Sequence, residues 1–184
     1  AQREGAICRA TVDGAVWITH LRDAADERRP FKLPAAMVLG VRLVDVPTVD
    51  VDEAAAPAGT WADIRYEEHG AVGVLHFRFY NGAMSTRQCR RLADAWRRAC
   101  SRPTRVIVLA GGPDFWSNGL NLNVIEADER PAEASWDNIE AMDDLALAVL
   151  TTDTHLTVAA LQGNAGAGGV FLALAADRVV ARSG

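Results

Sequence analysis

Hydrophobic positions beyond residue 70 fall into two alternating patterns. Apolar runs of strand length occupy positions 72–79, 105–110, 157–161 and 178–181. Between these runs, apolar residues recur every three or four positions, as they do on the buried face of a helix. Strands that alternate with helices usually pair in parallel, through crossover connections. The pattern therefore predicts an α/β fold for this part of the chain.

A capping box predicts where the first long helix begins. In residues 85–88 (STRQ), the Ser85 hydroxyl is placed to accept the Gln88 amide while the Gln88 side chain reaches back. The helix is expected to end before Pro103, because the residue ahead of a proline disfavours helical backbone. Its predicted inner face consists of Cys89, Leu92, Trp96 and Ala99.

Two further helices are expected downstream. Pro131 suits the first turn of a second long helix, which is predicted to end near Leu150. The predicted inner face of this helix consists of Ile139, Met142, Leu145 and Val149. A glycine-rich turn at 163–169 then leads into a short helix at 170–176.

The first 62 residues do not continue this alternation. An Asp13–Gly14 turn opens a short apolar run, and segments 31–39 and 41–44 predict two or three strands joined by turns. Residues 46–59 have no period and contain two prolines, which is typical of a linker. Because the chain starts without Met and stops just after an apolar run, we expect an internal fragment. Its predicted parts are the end of one module at 1–45, a linker at 46–62 and a truncated domain at 63–184.

Composition restricts the partners of the chain. It has 19 Lys and Arg against 24 Asp and Glu, a net charge of -5, which argues against nucleic acid as a partner. No apolar run approaches the roughly 20 residues of a membrane-spanning helix, so no membrane insertion is expected. Cys8, Cys89 and Cys100 lack C-x-x-C spacing, and no secretory signal precedes them. Reduced thiols and a cytoplasmic location are therefore expected.

Charged residues on the two long helices favour solvated faces over binding sites. A phosphate patch for coenzyme A is the alternative for the arginines of the first helix, which are Arg87, Arg90, Arg91, Arg97, Arg98 and Arg102. On the second helix, Glu140, Asp143 and Asp144 have no nearby histidine cluster. We therefore expect no metal site there.

Two glycine-rich loops carry the candidate chemistry. They lie at 112–122 and 162–171, each after an apolar strand, and ligands of open α/β sheets bind at the carboxyl ends of strands. A helix that starts behind Gly168 and Gly169 presents free amides, and two such amides aimed at one carbonyl form an oxyanion hole. Tight packing alone is the alternative interpretation. A Rossmann motif is disfavoured because its third glycine would fall on Phe171.

Three segments resemble enoyl-CoA hydratases, the crotonase family. Residues 115–122 (FWSNGLNL) resemble the family's F-x-x-G-x-D-L segment, and 162–178 resemble its G-x-A-x-G-G-G-x-x-L…C-D segment. Residues 81–85 (NGAMS) resemble the N-A-L-S turn before the first long helix. The order is that of the family, over residues 63–184. The resemblance implies a ββα spiral fold, of which this chain would hold the N-terminal half.

The same resemblance implies an acyl-CoA site. The backbone amides of Leu120 and Gly168 match the positions that form the oxyanion hole in such proteins. Contacts to substrate or coenzyme A are expected from Tyr80, Ala83, Asn118, Gly119, Asn164 and Phe171. Trp116 is expected to anchor the first loop rather than to react.

The amino-acid sequence is more similar still to a hydrogenase-maturation branch of this family. Proteins of this branch join a formyl-tetrahydrofolate-using module to a crotonase-like domain. The segments at 79–85, 111–119, 135–145 and 162–179 look like this branch, and 5–40 is similar to the end of a formyltransferase C-terminal module. The resemblance implies synthesis of carbon monoxide from a formyl group through formyl-CoA, as a ligand for [NiFe]-hydrogenase. Tetrahydrofolate would act in the upstream module, and other maturation proteins would be partners.

Two departures from ordinary crotonases bear on the chemistry. Phe171 stands where hydratases have a glutamate, and Asn121 stands where the first loop has an aspartate. Hydration needs a carboxylate to activate water, whereas release of carbon monoxide from a formyl thioester consumes no water. A dry pocket at Phe171 would suppress hydrolysis to formate. A generic enoyl-CoA hydratase or isomerase and a non-catalytic CoA-binding module remain as alternatives.

Overall fold

The computed structural model describes residues 1–49 and 60–183. The chain divides into two compact units, Ala1–Asp52 and Glu53–Gly184. Part of the predicted linker, at 50–59, lies outside the described residues, so the three predicted parts of the chain stay a prediction. In the part of the chain that is described, no helix combines the length and the apolar character that crossing a membrane requires.

Short strands make up most of the first unit. Strands β1 to β3 form an antiparallel sheet in that order, and β4 pairs with β5. The expected turn at Asp13–Gly14 joins β2 to β3, where the Thr11 amide donates to the Gly14 carbonyl at 2.9 Å. The elements are β1 (Gln2–Arg3), β2 (Ala6–Ala10), β3 (Ala15–Ile18), β4 (His20–Leu21), β5 (Leu33–Pro34), α1 (Ala35–Leu39) and a 3-10 helix (Gly40–Leu43).

The prediction of strands over 31–44 is wrong for most of that segment. Only Leu33–Pro34 is a strand, and a helix and a 3-10 turn follow it. Period does not separate a short apolar run in a helix from one in a strand. Tertiary contacts decide here: Ala35 is fully buried, and its amide donates to the Thr19 carbonyl at 2.9 Å.

A five-stranded sheet and two long helices form the second unit, which confirms the α/β prediction. The strand order is β14-β12-β9-β7-β6, with every pair parallel except β6–β7. The strands of the second unit are β6 (Ile64–His69), β7 (Val72–Phe77), β8 (Ala83–Met84), β9 (Val106–Ala110), β10 (Phe115–Ser117), β11 (Gly119–Leu120), β12 (Leu156–Leu161), β13 (Asn164–Ala165) and β14 (Arg178–Ala181). Its helices are a 3-10 turn (Tyr80–Gly82), α2 (Thr86–Cys100), α3 (Leu122–Glu126), α4 (Pro131–Leu150) and α5 (Gly168–Leu174).

The edge strand β6 was not expected from the sequence. Its residues, IRYEEH, are mostly polar and carry little strand signal. The strand forms because Gly70, at φ +62°, closes a tight turn that pairs β6 with β7 along their whole length. A charged edge strand also discourages pairing with other chains.

Helices α2 and α4 supply the buried layer beside the sheet. The whole predicted inner face of α2 is buried, and the Trp96 indole donates to Thr152 Oγ1 at 3.0 Å. On α4, three of the four predicted inner residues are buried, but Ile139 is 37% exposed and that prediction is wrong. The buried stripe passes through Asn138 and Ala141 instead, because these positions continue the spacing of the buried residues nearer the C-terminus.

The predicted capping box is present at the start of α2. The Ser85 hydroxyl accepts from the Gln88 backbone amide at 3.4 Å, and the Ser85 backbone amide donates to Gln88 Oε1 at 3.0 Å.

Because the cap satisfies amides that the helix leaves free, we expect Ser85→Ala to lower the free energy of unfolding by about 1 kcal/mol. Chemical denaturation checks this, with Ser85→Asp as the matched variant that keeps an acceptor. Equal losses for both variants would contradict the capping role.

A carboxylate ties the end of α5 to the sheet. Asp177 Oδ2 accepts from the Thr157 amide at 2.8 Å and from the Thr157 hydroxyl at 2.9 Å. These two bonds hold the pKa of Asp177 below its ordinary value.

Helix α5 begins at Gly168, two residues before the predicted start at position 170. The pair Gly168 and Gly169 therefore belongs to the helix rather than to the turn.

Candidate functional site

The three segments that carry the family motifs follow the carboxyl ends of β7, β9 and β12 and pair with one another there. Strand β11 of the first loop pairs in parallel with β8, with Gly119 opposite Ala83. Strand β10 of the same loop pairs in parallel with β13 of the second loop, with Phe115 opposite Asn164. The first loop therefore lies between the other two segments and contacts both.

The two glycine-rich loops touch at Gly119 and Gly168. A Cβ added to Gly119 would lie 2.7 Å from the Gly168 amide nitrogen and 3.0 Å from its Cα. Gly119 also has φ +76°, in the left-handed region that disfavours side chains. Only glycine at position 119 therefore allows the two loops to approach this closely.

The start of α5 presents a backbone amide at this contact. The Gly169 and Val170 amides are used within the turn, where they donate to the carbonyls of Gly166 at 2.9 Å and Ala167 at 3.0 Å. The Gly168 amide takes no part in these two bonds, and at the first position of α5 the helix itself offers it no acceptor. This amide therefore carries the positive end of the helix dipole toward the loop contact.

The Leu120 amide lies between two amides whose partners are known. The Gly119 amide donates to Ser117 Oγ at 3.1 Å, and the Asn121 amide donates to the Met84 carbonyl at 3.0 Å. Successive amides of extended backbone point to opposite sides. Because the Asn121 amide points to β8, the Leu120 amide points away from β8. The joint role of the Leu120 and Gly168 amides at one carbonyl oxygen stays a prediction.

The other predicted contact residues surround this point, with different degrees of exposure. Asn118 is half-buried and bonds the neighbouring turn, since its Nδ2 donates to the Asn81 carbonyl at 2.7 Å. Tyr80 and Ala83 are half-buried in the same turn and in β8. Asn164 is exposed in β13. Their roles in binding a ligand stay predictions.

Phe171 is not enclosed by the described residues. It lies three residues after Gly168 in α5, which places the two on the same side of that helix. Its side chain is 71% exposed, beside the exposed Leu174. Phe171 therefore lies on the side of α5 that carries Gly168. Its role in excluding water stays a prediction.

Asn121 has a structural task in place of the family's aspartate. It is buried and caps α3, where its side-chain oxygen accepts from the Val124 amide at 3.2 Å.

Trp116 is fully buried, and its ring centre lies 5.2 Å from that of Phe77. This burial confirms that Trp116 anchors the first loop.

Two buried polar residues beside the loop contact were not singled out in the sequence. Ser117 is fully buried in β10, and Asn138 is buried in α4. Asn138 Oδ1 accepts from the Asn121 amide at 3.4 Å, and its Nδ2 donates to Cys89 Sγ at 3.7 Å. A polar residue on the apolar stripe of α4 was the available signal for Asn138.

The arginines of α2 mostly lie on an exposed face of that helix. Arg87, Arg90, Arg97 and Arg98 are exposed on α2, as expected for a solvated face. Arg91 instead pairs with the buried Asp63. Burial raises the pKa of the Cys89 thiol to about 12, so this cysteine stays protonated. Within residues 1–49 and 60–183, no cluster of three or more His, Cys, Asp or Glu could hold a metal ion.

Comparison with known families and proteins identifies similar sequences and structures. The model of the enoyl-CoA hydratase/isomerase family matches residues 69–183. A hydrogenase maturation factor HoxX from Bradyrhizobium diazoefficiens is 54% identical over 179 residues, which are 97% of this chain and 30% of that protein. The chain thus spans less than a third of the length of this relative.

Solved structures extend the comparison. HypX from Aquifex aeolicus, crystallised in complex with tetrahydrofolic acid, is 51% identical with a TM-score of 0.92, over 97% of this chain and 32% of that one. An enoyl-CoA hydratase from Bacillus halodurans is 20% identical with a TM-score of 0.57, over 65% of this chain and 50% of that one. The latter similarity concerns the fold alone.

Proposed function

Since the chain belongs to the enoyl-CoA hydratase/isomerase family, we propose that its second unit binds a CoA thioester at the contact between Gly119 and Gly168. The observation that carries this proposal is the approach of the two loops, in which a Cβ on Gly119 would reach the Gly168 amide. In this proposal, the thioester carbonyl oxygen lies at this contact. The Leu120 and Gly168 amides donate hydrogen bonds to this oxygen. Such bonds stabilise the transition state most where negative charge develops on the oxygen.

We further propose that the thioester is formyl-CoA and that the product is carbon monoxide for hydrogenase maturation. Support comes from the 54% identity to a hydrogenase maturation factor and from the similarity to a HypX that was crystallised with tetrahydrofolic acid. Tetrahydrofolate would carry the formyl group in an upstream module. Other hydrogenase maturation proteins would receive the product.

The proposed reaction balances without water. The bond between the formyl carbon and the CoA sulfur breaks, the formyl proton ends on that sulfur, and carbon monoxide and free CoA leave. The amides of Leu120 and Gly168 hold and polarise the carbonyl oxygen before the bond breaks. Hydrolysis is the competing reaction, in which water attacks the same carbon and gives formate.

The residues at two family positions favour the dry reaction. Phe171 and Asn121 replace the carboxylates of ordinary crotonases, and the Asn121 side-chain oxygen is engaged in capping α3. A site without these carboxylates activates water poorly. This is why we place formyl-CoA ahead of an enoyl-CoA hydratase or isomerase reaction, the alternative to which the family match points.

We predict that Phe171→Glu in the full-length protein lowers carbon monoxide release and diverts the formyl group to formate. The new carboxylate recruits and activates water beside Gly168. Supplying formyl-CoA and measuring carbon monoxide in the headspace and formate in solution checks the ratio of the two products. Phe171→Leu is the matched control, because it stays apolar and should keep the ratio near that of the unchanged protein.

Three outcomes distinguish the functions. Carbon monoxide from the unchanged protein supports the proposal, and hydration of an enoyl-CoA without carbon monoxide would replace it with the hydratase alternative. Binding of CoA thioesters without any turnover would identify a non-catalytic module. If Phe171→Glu binds CoA and makes carbon monoxide at the original rate without added formate, the dry role of Phe171 is wrong.

A further inference from the structure

The backbone around Leu120 has little intrinsic stiffness. Strand β11 is two residues long, and its first residue is Gly119, the residue type with the widest range of backbone angles. An oxyanion-hole donor must nevertheless be held in one direction, because a preorganised donor costs no reorganisation during the reaction. The direction of the Leu120 amide must therefore be set by groups outside β11.

Ser117 holds the amide that precedes Leu120. Its hydroxyl accepts from the Gly119 amide at 3.1 Å, and its carbonyl accepts from the Gly166 amide at 2.9 Å. It is fully buried, and a Cβ on Gly169 would overlap its carbonyl oxygen. Ser117 thus joins the first loop to the second at the place where both donors originate.

Asn138 supports the amide that follows Leu120. Its Oδ1 accepts from the Asn121 amide at 3.4 Å, alongside the Met84 carbonyl at 3.0 Å. Its Nδ2 donates to Cys89 Sγ at 3.7 Å, which sets which end of the amide group faces the loop. Burying an amide side chain is unfavourable unless it is bonded, so the two bonds account for a polar residue on the apolar stripe of α4.

We propose that Ser117 and Asn138 are positioning residues that orient the Leu120 amide toward the thioester carbonyl by engaging the amides on either side of it. The inference rests on the proposed acyl-CoA site. Neither side chain touches the substrate in this proposal. Each acts through the peptide group next to Leu120, so its loss should weaken polarisation of the carbonyl more than binding of the CoA portion.

The test measures polarisation directly. Acetyl-CoA labelled with ¹³C at its carbonyl is bound to the full-length protein, and the carbonyl stretch is recorded by isotope-edited infrared difference spectroscopy. A hydrogen-bonded carbonyl absorbs at lower frequency than the same thioester in water. We expect this shift in the unchanged protein, and a smaller shift in Ser117→Ala and Asn138→Leu. Asn138→Asp keeps an acceptor and should restore most of the shift.

Turnover and affinity give a second readout. We expect Ser117→Ala and Asn138→Leu each to lower kcat with formyl-CoA about five- to tenfold, the effect of one hydrogen bond, with the Kd for acetyl-CoA changed less than twofold. Ser101→Ala, at the exposed end of α2, is the matched control and should change neither quantity. Asn138→Ala replaces Asn138→Leu if the latter does not fold.

The outcomes separate this inference from the function on which it rests. If acetyl-CoA binds to the unchanged protein without a shift of the carbonyl band, the oxyanion site itself is wrong, and the inference falls with it. If the unchanged protein shows the shift and both Ser117→Ala and Asn138→Leu retain it in full, the site stands and the positioning role is overturned.

Discussion

Replacing Gly168 by proline should lower the rate of carbon monoxide formation from formyl-CoA by about 100- to 1,000-fold, the usual effect of losing one oxyanion donor. Proline removes the backbone N–H, and its ring also adds atoms on this nitrogen close to Gly119, so folding is checked alongside the rate. Gly168 is the first residue of α5, and the first helical position is where proline is best tolerated, because the amide there has no intrahelical acceptor. The loss should therefore appear in the rate, with α5 still folded.

Gly168→Ala is the matched variant, since it adds a Cβ and keeps the amide. That Cβ would lie 3.4 Å from Gly119 Cα and from Met142 Cγ, which is ordinary contact. We expect a far smaller loss than for proline. Circular dichroism and CoA binding verify that both variants fold. Equal rates for the proline and alanine variants would show that the Gly168 amide takes no part in the reaction.

Removing the Asp63 carboxylate should lower the free energy of unfolding by about 3 kcal/mol, because it breaks a mostly buried, bidentate ion pair. Arg91 donates to both oxygens of Asp63, at 3.0 and 2.9 Å. The two side chains are 17% and 6% exposed. The pair joins α2 to the residue before β6, so Asp63→Ala weakens the attachment of the edge strand to the helix layer. Urea denaturation measures the loss.

The same helix offers a solvent-exposed pair for comparison. Arg97 and Asp94 lie 2.6 Å apart on α2 with side chains 62% and 60% exposed. Exposed pairs contribute little, typically about 0 to 1 kcal/mol, so Asp94→Ala should change stability far less than Asp63→Ala. A loss of the same size for both variants would contradict the assignment of the Asp63 effect to burial.

Local sequence was sufficient wherever a single element carried its own signal. The capping box at Ser85 marked the start of α2 correctly, because the two side chains that form it are three residues apart and need nothing else. The apolar run at 105–110 was long and β-rich enough to predict β9. The glycines of the two loops were recognisable because few residue types tolerate such close backbone contact.

Short or polar segments were decided by what lies against them. The run at 35–39 reads equally well as strand or helix, and it became α1 where its first amides found carbonyl acceptors at Thr19 and Gly5. Strand β6 has almost no apolar pattern and exists because β7 pairs with it. Ile139 illustrates the same limit, since the rotation of α4 about its axis depends on its neighbours rather than on its own residues.

For the candidate site, two glycine-rich loops after two strands were recognisable in the sequence, and the family resemblance singled out the Leu120 and Gly168 amides within them. The contact of Gly119 with Gly168, and the bonds of Ser117 and Asn138 to the amides beside Leu120, became visible only in the folded chain. The physical reason is that loop glycines mark where close contact is permitted, whereas contact between residues about 50 positions apart depends on the sheet that brings them together.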